Sequence, residues 1–254
     1  MAYILGVDIG TSGTKTVLFS EDGTPVASAL YDYPLYTPCN GYAEQEPTDW
    51  WNACVNGIRD VVAKSGVPAD EIKGVGLSGQ MHGLVMLDKD NKVIRKSIIW
   101  CDQRTGKEVV EITEKVGHDR LIAITANPAI TGFTAAKIMW VKNNEPENYE
   151  KCRHILLPKD YIRFMLTGEF ATEVSDASGM QLLDIPGRCW SDEVLTKLGI
   201  DKSLLAKVYE SPEITGTVTK AVAQATGLKE GTPVVGGAGD KAAGGVGAGG
   251  WEEG

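Results

Sequence analysis

The eight residues Asp8-Ile9-Gly10-Thr11-Ser12-Gly13-Thr14-Lys15 separate two short apolar runs, residues 3–7 and 16–19, both rich in β-branched and aromatic side chains. Strand-forming residues on either side of a glycine- and hydroxyl-rich turn predict a β-hairpin. Its tip carries more chemistry than a turn needs. Gly10 and Gly13 let backbone N–H groups approach an anion, Thr11, Ser12 and Thr14 add hydroxyls, and Lys15 adds positive charge, which together suit phosphate. Asp8, at the end of the first run, has the chemistry to hold a hydrated Mg2+ that accompanies a nucleotide. On these residues alone, a hairpin whose Gly and Thr only satisfy turn geometry fits equally well.

The remaining chain alternates strand and helix signals. Asp22-Gly23 marks a tight turn, and residues 25–31 supply a third meandering strand. Pro47-Thr48 opens a helix in which Trp51, Cys54, Val55, Ile58, Val61 and Val62 recur at helical spacing until Ser65-Gly66 stops it. Residues 72–77 form a strand running into the loop Ser78-Gly79-Gln80-Met81-His82-Gly83, and a strand end of this kind is where α/β folds place ligands. A second hairpin is expected from 84–87 and 93–100 around a turn at 88–92, ending in Trp100-Cys101-Asp102-Gln103-Arg104. An amphipathic helix follows over 103–116, and 131–205 reads as mainly helical, with Pro158 starting one helix, Thr167-Gly168 ending it, and Ser191 capping another. Residues 214–218, 220–226 and 233–236 restore an α/β rhythm that enters a glycine-rich stretch containing Asp240. Three meandering strands, a helix and a further strand are the pattern of an α/β, ribonuclease H-like core, here with a helical insertion within one domain.

With 254 residues the chain can bury a substantial core, and its net charge of -9 argues against a nucleic-acid surface. The five cysteines are scattered without a C-x-x-C pair, which reads as reduced thiols in a cytoplasmic protein. His82, His118 and His154 lie too far apart to suggest structural zinc. No run reaches the roughly 18 apolar residues of a membrane span, and Asp8 interrupts the N-terminus where a signal peptide would need an apolar core. Trp100 and Trp140 read as core residues rather than as sugar platforms. Oligomeric state is not set by these features, and a homodimer is compatible with them.

Asp240 follows a glycine-rich strand end, where a carboxylate can accept the proton of a substrate hydroxyl as that oxygen attacks phosphorus. On this residue alone, a helix cap is the readier reading. These segments, taken in order with Gln45-Glu46-Pro47, Leu157-Pro158-Lys159-Asp160-Tyr161, Leu166-Thr167-Gly168-Glu169, Ser175-Asp176-Ala177-Ser178-Gly179 and Gly239-Asp240, run through essentially the whole chain and resemble the FGGY carbohydrate kinases. The resemblance implies an actin-like, two-lobed fold with a cleft, and ATP-dependent phosphorylation of a ketopentose assisted by Mg2+. By similarity, Asp240 is the base and Asp8 the acid near Mg2+ and the phosphates, with Thr11, Ser12, Gly13, Thr14 and Lys15 facing the transferred phosphate. Gln80, Met81 and His82 match the sugar-contacting segment that favours D-xylulose over glycerol, and Asp102 and Arg104 belong to a second sugar-side loop.

Two features depart from the family pattern. Lys241 follows the base where relatives often carry an amide, and the chain stops shortly after Asp240. The expectation is therefore an N-terminal, sugar-binding domain over 1–254, with the adenine-binding lobe absent and little activity on its own.

Overall fold

Alternating burial along residues 3–9 sets the first layer. In the computed structural model, which describes residues 1–250 and leaves the chain end from Trp251 to Gly254 outside the described residues, Leu5, Val7 and Ile9 are buried while Ile4 and Asp8 are exposed. A period of two with one face in a core is what a pleated strand imposes. Strand β1 (Tyr3–Ile9) pairs antiparallel with β2 (Gly13–Ser20), and β2 with β3 (Pro25–Asp32). After the two-residue β4 (Glu44–Gln45) and helix α1 (Pro47–Ser65), β5 (Ile72–Gly79) returns parallel to β1.

The middle of the chain comprises β6 (Val85–Leu87), β7 (Ser97–Ile98), α2 (Gly106–Val116), α3 (His118–Thr125), α4 (Thr134–Asn144), α5 (Pro146–Lys151), β8 (His154–Leu156), α6 (Pro158–Thr167), β9 (Ala171–Glu173), α7 (Val174–Ala177), β10 (Leu183–Asp184), β11 (Cys189–Trp190), α8 (Asp192–Leu198) and β12 (Lys207–Tyr209). The end of the chain rejoins the first sheet through β13 (Ile214–Thr217), α9 (Lys220–Thr226), β14 (Pro233–Val235), β15 (Ala238–Gly239) and α10 (Asp240–Gly247). The resulting seven-stranded sheet has the order β13-β14-β5-β1-β2-β3, with β15 also paired to β5.

One face of this sheet is covered by α1, α6 and α9. Helix α1 buries Trp50, Cys54, Ile58 and Val61, a stripe at three- and four-residue spacing, against Leu5, Val7, Leu18 and Val75. Each such side chain contributes about 1.5–3 kcal/mol when fully removed from water. The other face carries a groove of about 640 Å³ along Ile4, Val17, Phe19 and Gly76, with Asp8 and Lys15 among its lining residues. A second core gathers Ile112, Leu121, Ile138, Leu182 and Leu195 from the helical section. Among the described residues no helix is long and apolar enough to cross a membrane, and all five cysteines are free thiols.

The second hairpin expected over 84–100 forms only in part. The turn at 88–92 closes, with the Asp88 N–H donating to the Lys92 carbonyl at 2.9 Å, and Leu87 bridges Val93. The regular partner of β6 is instead β8, and β7 pairs with β4. Distant strands offer a better apolar match than the short local return. Helix α2 begins at Gly106 rather than at residue 103, because Asp102 and Gln103 are drawn into loop hydrogen bonds to Ala43 and Gly41.

Gly237 is a tight point of the framework. Its φ is 72°, and a Cβ there would lie 2.0 Å from the Leu77 carbonyl oxygen. Gly237→Ala is therefore expected to lower the unfolding free energy by about 3 kcal/mol, through backbone strain and overpacking against β5. A shift of the urea midpoint measures it.

Candidate active site

Strand register brings the chemistry together. Ile9 lies beside Gly79, and Gly79 beside Gly239, all in parallel pairing. The next residues of the three segments, Gly10, Gln80 and Asp240, therefore leave the same edge of the sheet side by side. This is the carboxyl end of parallel strands, where backbone groups are released from the ladder and side chains converge. Three segments far apart in sequence become one site.

The hairpin tip is braced from behind. Gln80 is buried, and its Nε2 donates to the Gly10 carbonyl at 3.3 Å and to Gln45 Oε1 at 2.8 Å. Gln45 in turn donates to the Thr11 carbonyl at 2.7 Å, and Trp50 donates to Gln45 at 3.2 Å. The Tyr33 hydroxyl donates to the Gly10 carbonyl as well. These bonds consume carbonyl oxygens on the inner side of the tip. Thr11 and Gly13 are half-buried and Ser12 is exposed, whereas Thr14 is wholly buried on the core side of β2. Lys15 and Asp8 are exposed, stand opposite each other in the β1–β2 register and line the groove.

The Asp8 carboxylate makes no hydrogen bond or ion pair among the described residues, so its lone pairs are available. No group of three or more His, Cys, Asp or Glu suited to a metal ion occurs among them. A single free carboxylate of this kind fits a cation that keeps most of its water, as Mg2+ does.

The neighbouring loop is held firmly. His82 has φ 68°, unusual for a residue with a side chain, and its carbonyl accepts from Lys137 Nζ at 2.7 Å and from Thr134 Oγ1 at 3.2 Å. Its ring stacks on Phe133 with centroids 4.3 Å apart, and Nδ1 lies 2.9 Å from the Gly179 carbonyl. A carbonyl only accepts, so Nδ1 carries the proton and Nε2 of the neutral ring is left as an acceptor. Burial pushes the His82 imidazole down to about 4, with Lys137 and Lys241 adding unfavourable positive charge. Burial also lowers the Lys137 ammonium to about 7. Met81 is half-buried and packs on Gly239, where a Cβ would lie 2.8 Å from its sulfur.

Asp102 and Arg104 form a buried ion pair. Asp102 accepts from the Ala43 N–H at 2.6 Å and from Arg104 Nη2 at 2.7 Å, while Arg104 also pairs with Glu44 at 2.8 Å and lies 3.8 Å over the Tyr42 ring. Their polar atoms brace the second loop. Asp240 is exposed at the first position of α10, and its Oδ1 accepts from the Lys241 N–H at 2.7 Å. The helix cap position itself is Gly239, with no side-chain cap bond.

The structure also brings in residues that sequence reasoning did not select. Trp100, read as core, is 46% exposed, and its Nε1 donates to Thr11 Oγ1 at 2.9 Å. Gln45 and Lys137 are buried supports of the two loops; only the Gln45-Glu46-Pro47 segment carried any signal of this. The low His82 value has a measurable consequence. Between its ordinary 6.5 and about 4, the unfolded chain binds a proton that the folded chain refuses. Stability should therefore fall as pH drops through that window, by up to about 3 kcal/mol. Urea unfolding at pH 7, 5.5 and 4 measures this loss, which the His82→Asn variant should lack.

Comparison with known proteins matches residues 3–247 to the FGGY family of carbohydrate kinases, N-terminal domain. The xylulose kinase of Bacillus subtilis (strain 168) is 43% identical over 249 residues, which are 98% of this chain and 50% of that protein. Among solved structures, a xylulose kinase from Rhodospirillum rubrum superposes with TM-score 0.90 at 29% identity, covering 94% of this chain and 49% of that one. A gluconate kinase from Lactobacillus acidophilus gives 0.88 at 29%, covering 94% and 48%. The chain thus spans about half the length of the relatives it matches. The α/β core expected from the sequence is the ribonuclease H-like, actin-like fold of these kinases, and the chain belongs to the FGGY family of carbohydrate kinases.

Proposed function

We propose that this chain is the sugar-binding, base-bearing lobe of a two-lobed, cytoplasmic kinase that transfers the ATP γ-phosphate to D-xylulose, giving D-xylulose 5-phosphate. The side-by-side exit of Gly10, Gln80 and Asp240 from adjacent parallel strands carries this reading. A glycine- and hydroxyl-rich turn, a polar loop and an exposed carboxylate stand together at one edge, which suits phosphate, sugar and base in turn. The likeness to xylulose kinases supports the choice of acceptor.

In this reading the Asp240 carboxylate takes the proton of the sugar hydroxyl while that oxygen bonds to the γ-phosphorus and the bond to the ADP oxygen breaks. His82 Nε2 accepts from another sugar hydroxyl, Met81 supplies apolar contact, and Gln80 fixes the loop against the hairpin tip. Asp102 and Arg104 shape the second loop rather than touch the sugar. Thr11, Ser12, Gly13 and Lys15 face the phosphates. Asp8 would hold hydrated Mg2+, which when bound neutralises phosphate charge. A second lobe provides the adenine site.

A second reading follows from the gluconate kinase, whose fold match is nearly as close as that of the xylulose kinase: an acceptor other than a ketopentose. Assay of the complete kinase on xylulose, ribulose, glycerol and gluconate separates the two, and a clear preference for any acceptor but xylulose overturns the first. Asp240→Asn is expected to cut turnover by about 10²–10⁴-fold without loss of fold, and retained turnover would refute the base assignment. The isolated domain is expected to show little ATP turnover, because positioning both substrates requires both walls of the cleft. A coupled ADP-release assay on the purified 254-residue chain tests that.

A further inference from the structure

Beneath the turn that presents Asp240 lie five buried ionisable side chains with no part in the proton transfer itself: Lys159, Asp160, Arg163, Glu173 and Asp176, none more than 1% exposed. Lys159 Nζ lies 3.3 Å from Asp160, 3.4 Å from Glu173 and 3.6 Å from Asp176, and Arg163 Nη1 lies 2.7 Å from Asp160. Burial holds the Asp176 carboxyl well above the ordinary carboxylate range, which lets two cations balance the two remaining carboxylates. A buried cluster of this kind is weak evidence for stability, since desolvation consumes much of the Coulombic gain. Its hydrogen bonds point to a different use.

They grip both ends of the turn 236–239. At the first end, the Gly236 carbonyl accepts from Lys159 Nζ at 3.1 Å and from Arg163 Nη2. At the other, the Gly239 N–H donates to Ser175 Oγ at 3.1 Å. Ser175 has one hydroxyl proton, and it goes to Glu173 Oε1 at 2.9 Å. With the proton committed there, the oxygen lone pairs are directed at Gly239. Glu173 cannot rotate away, because it also accepts from the Ser175 N–H at 2.8 Å, the Asp176 N–H at 2.9 Å and the Ser211 hydroxyl at 2.8 Å. On the opposite side Gly239 meets Met81. The peptide preceding Asp240 is thereby fixed between the buried charges and the sugar loop.

We propose that Ser175, oriented by Glu173, is a positioning residue for Asp240: its hydroxyl holds the Gly239 N–H and so sets the direction in which the carboxylate leaves the sheet. The inference rests on the reading of Asp240 as base. Small displacements of a reacting group are costly, on the order of 10²-fold for about 1 Å.

In the complete kinase, Ser175→Ala is expected to lower kcat by about tenfold to a hundredfold while KM for the sugar and the unfolding temperature stay unchanged. Ser175→Thr, which keeps the hydroxyl, is expected to recover most of kcat. An unchanged kcat in Ser175→Ala overturns the proposal. So does a joint fall of kcat, KM quality and unfolding temperature that threonine does not restore, since that marks a merely structural role. Amide exchange at Gly239 in the isolated domain decides the matter without activity: Ser175→Ala should speed it at least about tenfold, and equal exchange refutes the hydrogen bond on which the proposal stands. If the wild-type kinase turned over none of the sugars, the proposed function would fall while the exchange measurement still judged Ser175.

Discussion

Parallel pairing of β1, β5 and β15 is the constraint on which the rest depends. A one-residue slip in any of these strands would turn its side chains to the opposite face of the sheet. It would carry Asp8 into the α1 core, or displace Asp240 from its place beside Gln80. The register is held by Leu5, Val7 and Ile9 in β1 and by Val75 and Leu77 in β5, all packed on the helix-covered face. Ordinary core burial thus fixes which residues stand side by side at the edge. The helical section adds a second core and contributes β9 and α7, from which Glu173 and Ser175 reach back to the sheet.

Where the sequence was informative, the signal was local. The limits of α1 follow from Pro47 and Gly66, those of α6 from Pro158 and Gly168, and the meander from alternating residues around short turns. The pairing of β6 with β8 was not legible, because its partner lies far along the chain and three-residue strands leave no periodicity to read. Trp100 was hidden for another reason. A tryptophan at a strand end reads as core by composition, and only the tertiary position of the hairpin tip leaves it in water with a hydrogen bond to Thr11.

The candidate site shows the same division. The hairpin tip, the Gln80 to Gly83 loop and Asp240 stood out as polar residues at strand ends, and their adjacency is a property of the sheet that no spacing encodes. Asp102 and Arg104 stood out as charges in a polar loop. Nothing in their two-residue separation reveals that Ala43, Glu44 and Tyr42 would enclose them. Lys137, Lys159 and Arg163 were the least visible, since a lysine or arginine within a helix ordinarily reads as a solvated residue. Each is fully buried: Lys137 and Lys159 donate to the His82 and Gly236 carbonyls, and Arg163 to the Gly236 and Ala171 carbonyls, with Asp160 paired to the last two cations.

The position of Trp100 gives the molecule a built-in optical sensor. Its indole is half in water and tied to the hairpin tip through a single hydroxyl, whereas Trp50 is fully buried and donates to Gln45. Emission from the first depends on contact with water and on the Thr11 hydroxyl; emission from the second reports a site closed to water. A group that takes the Thr11 hydroxyl proton can leave its oxygen bonded to the indole N–H, whereas one that displaces that oxygen frees the indole, so Trp100 emission distinguishes the two without any added label.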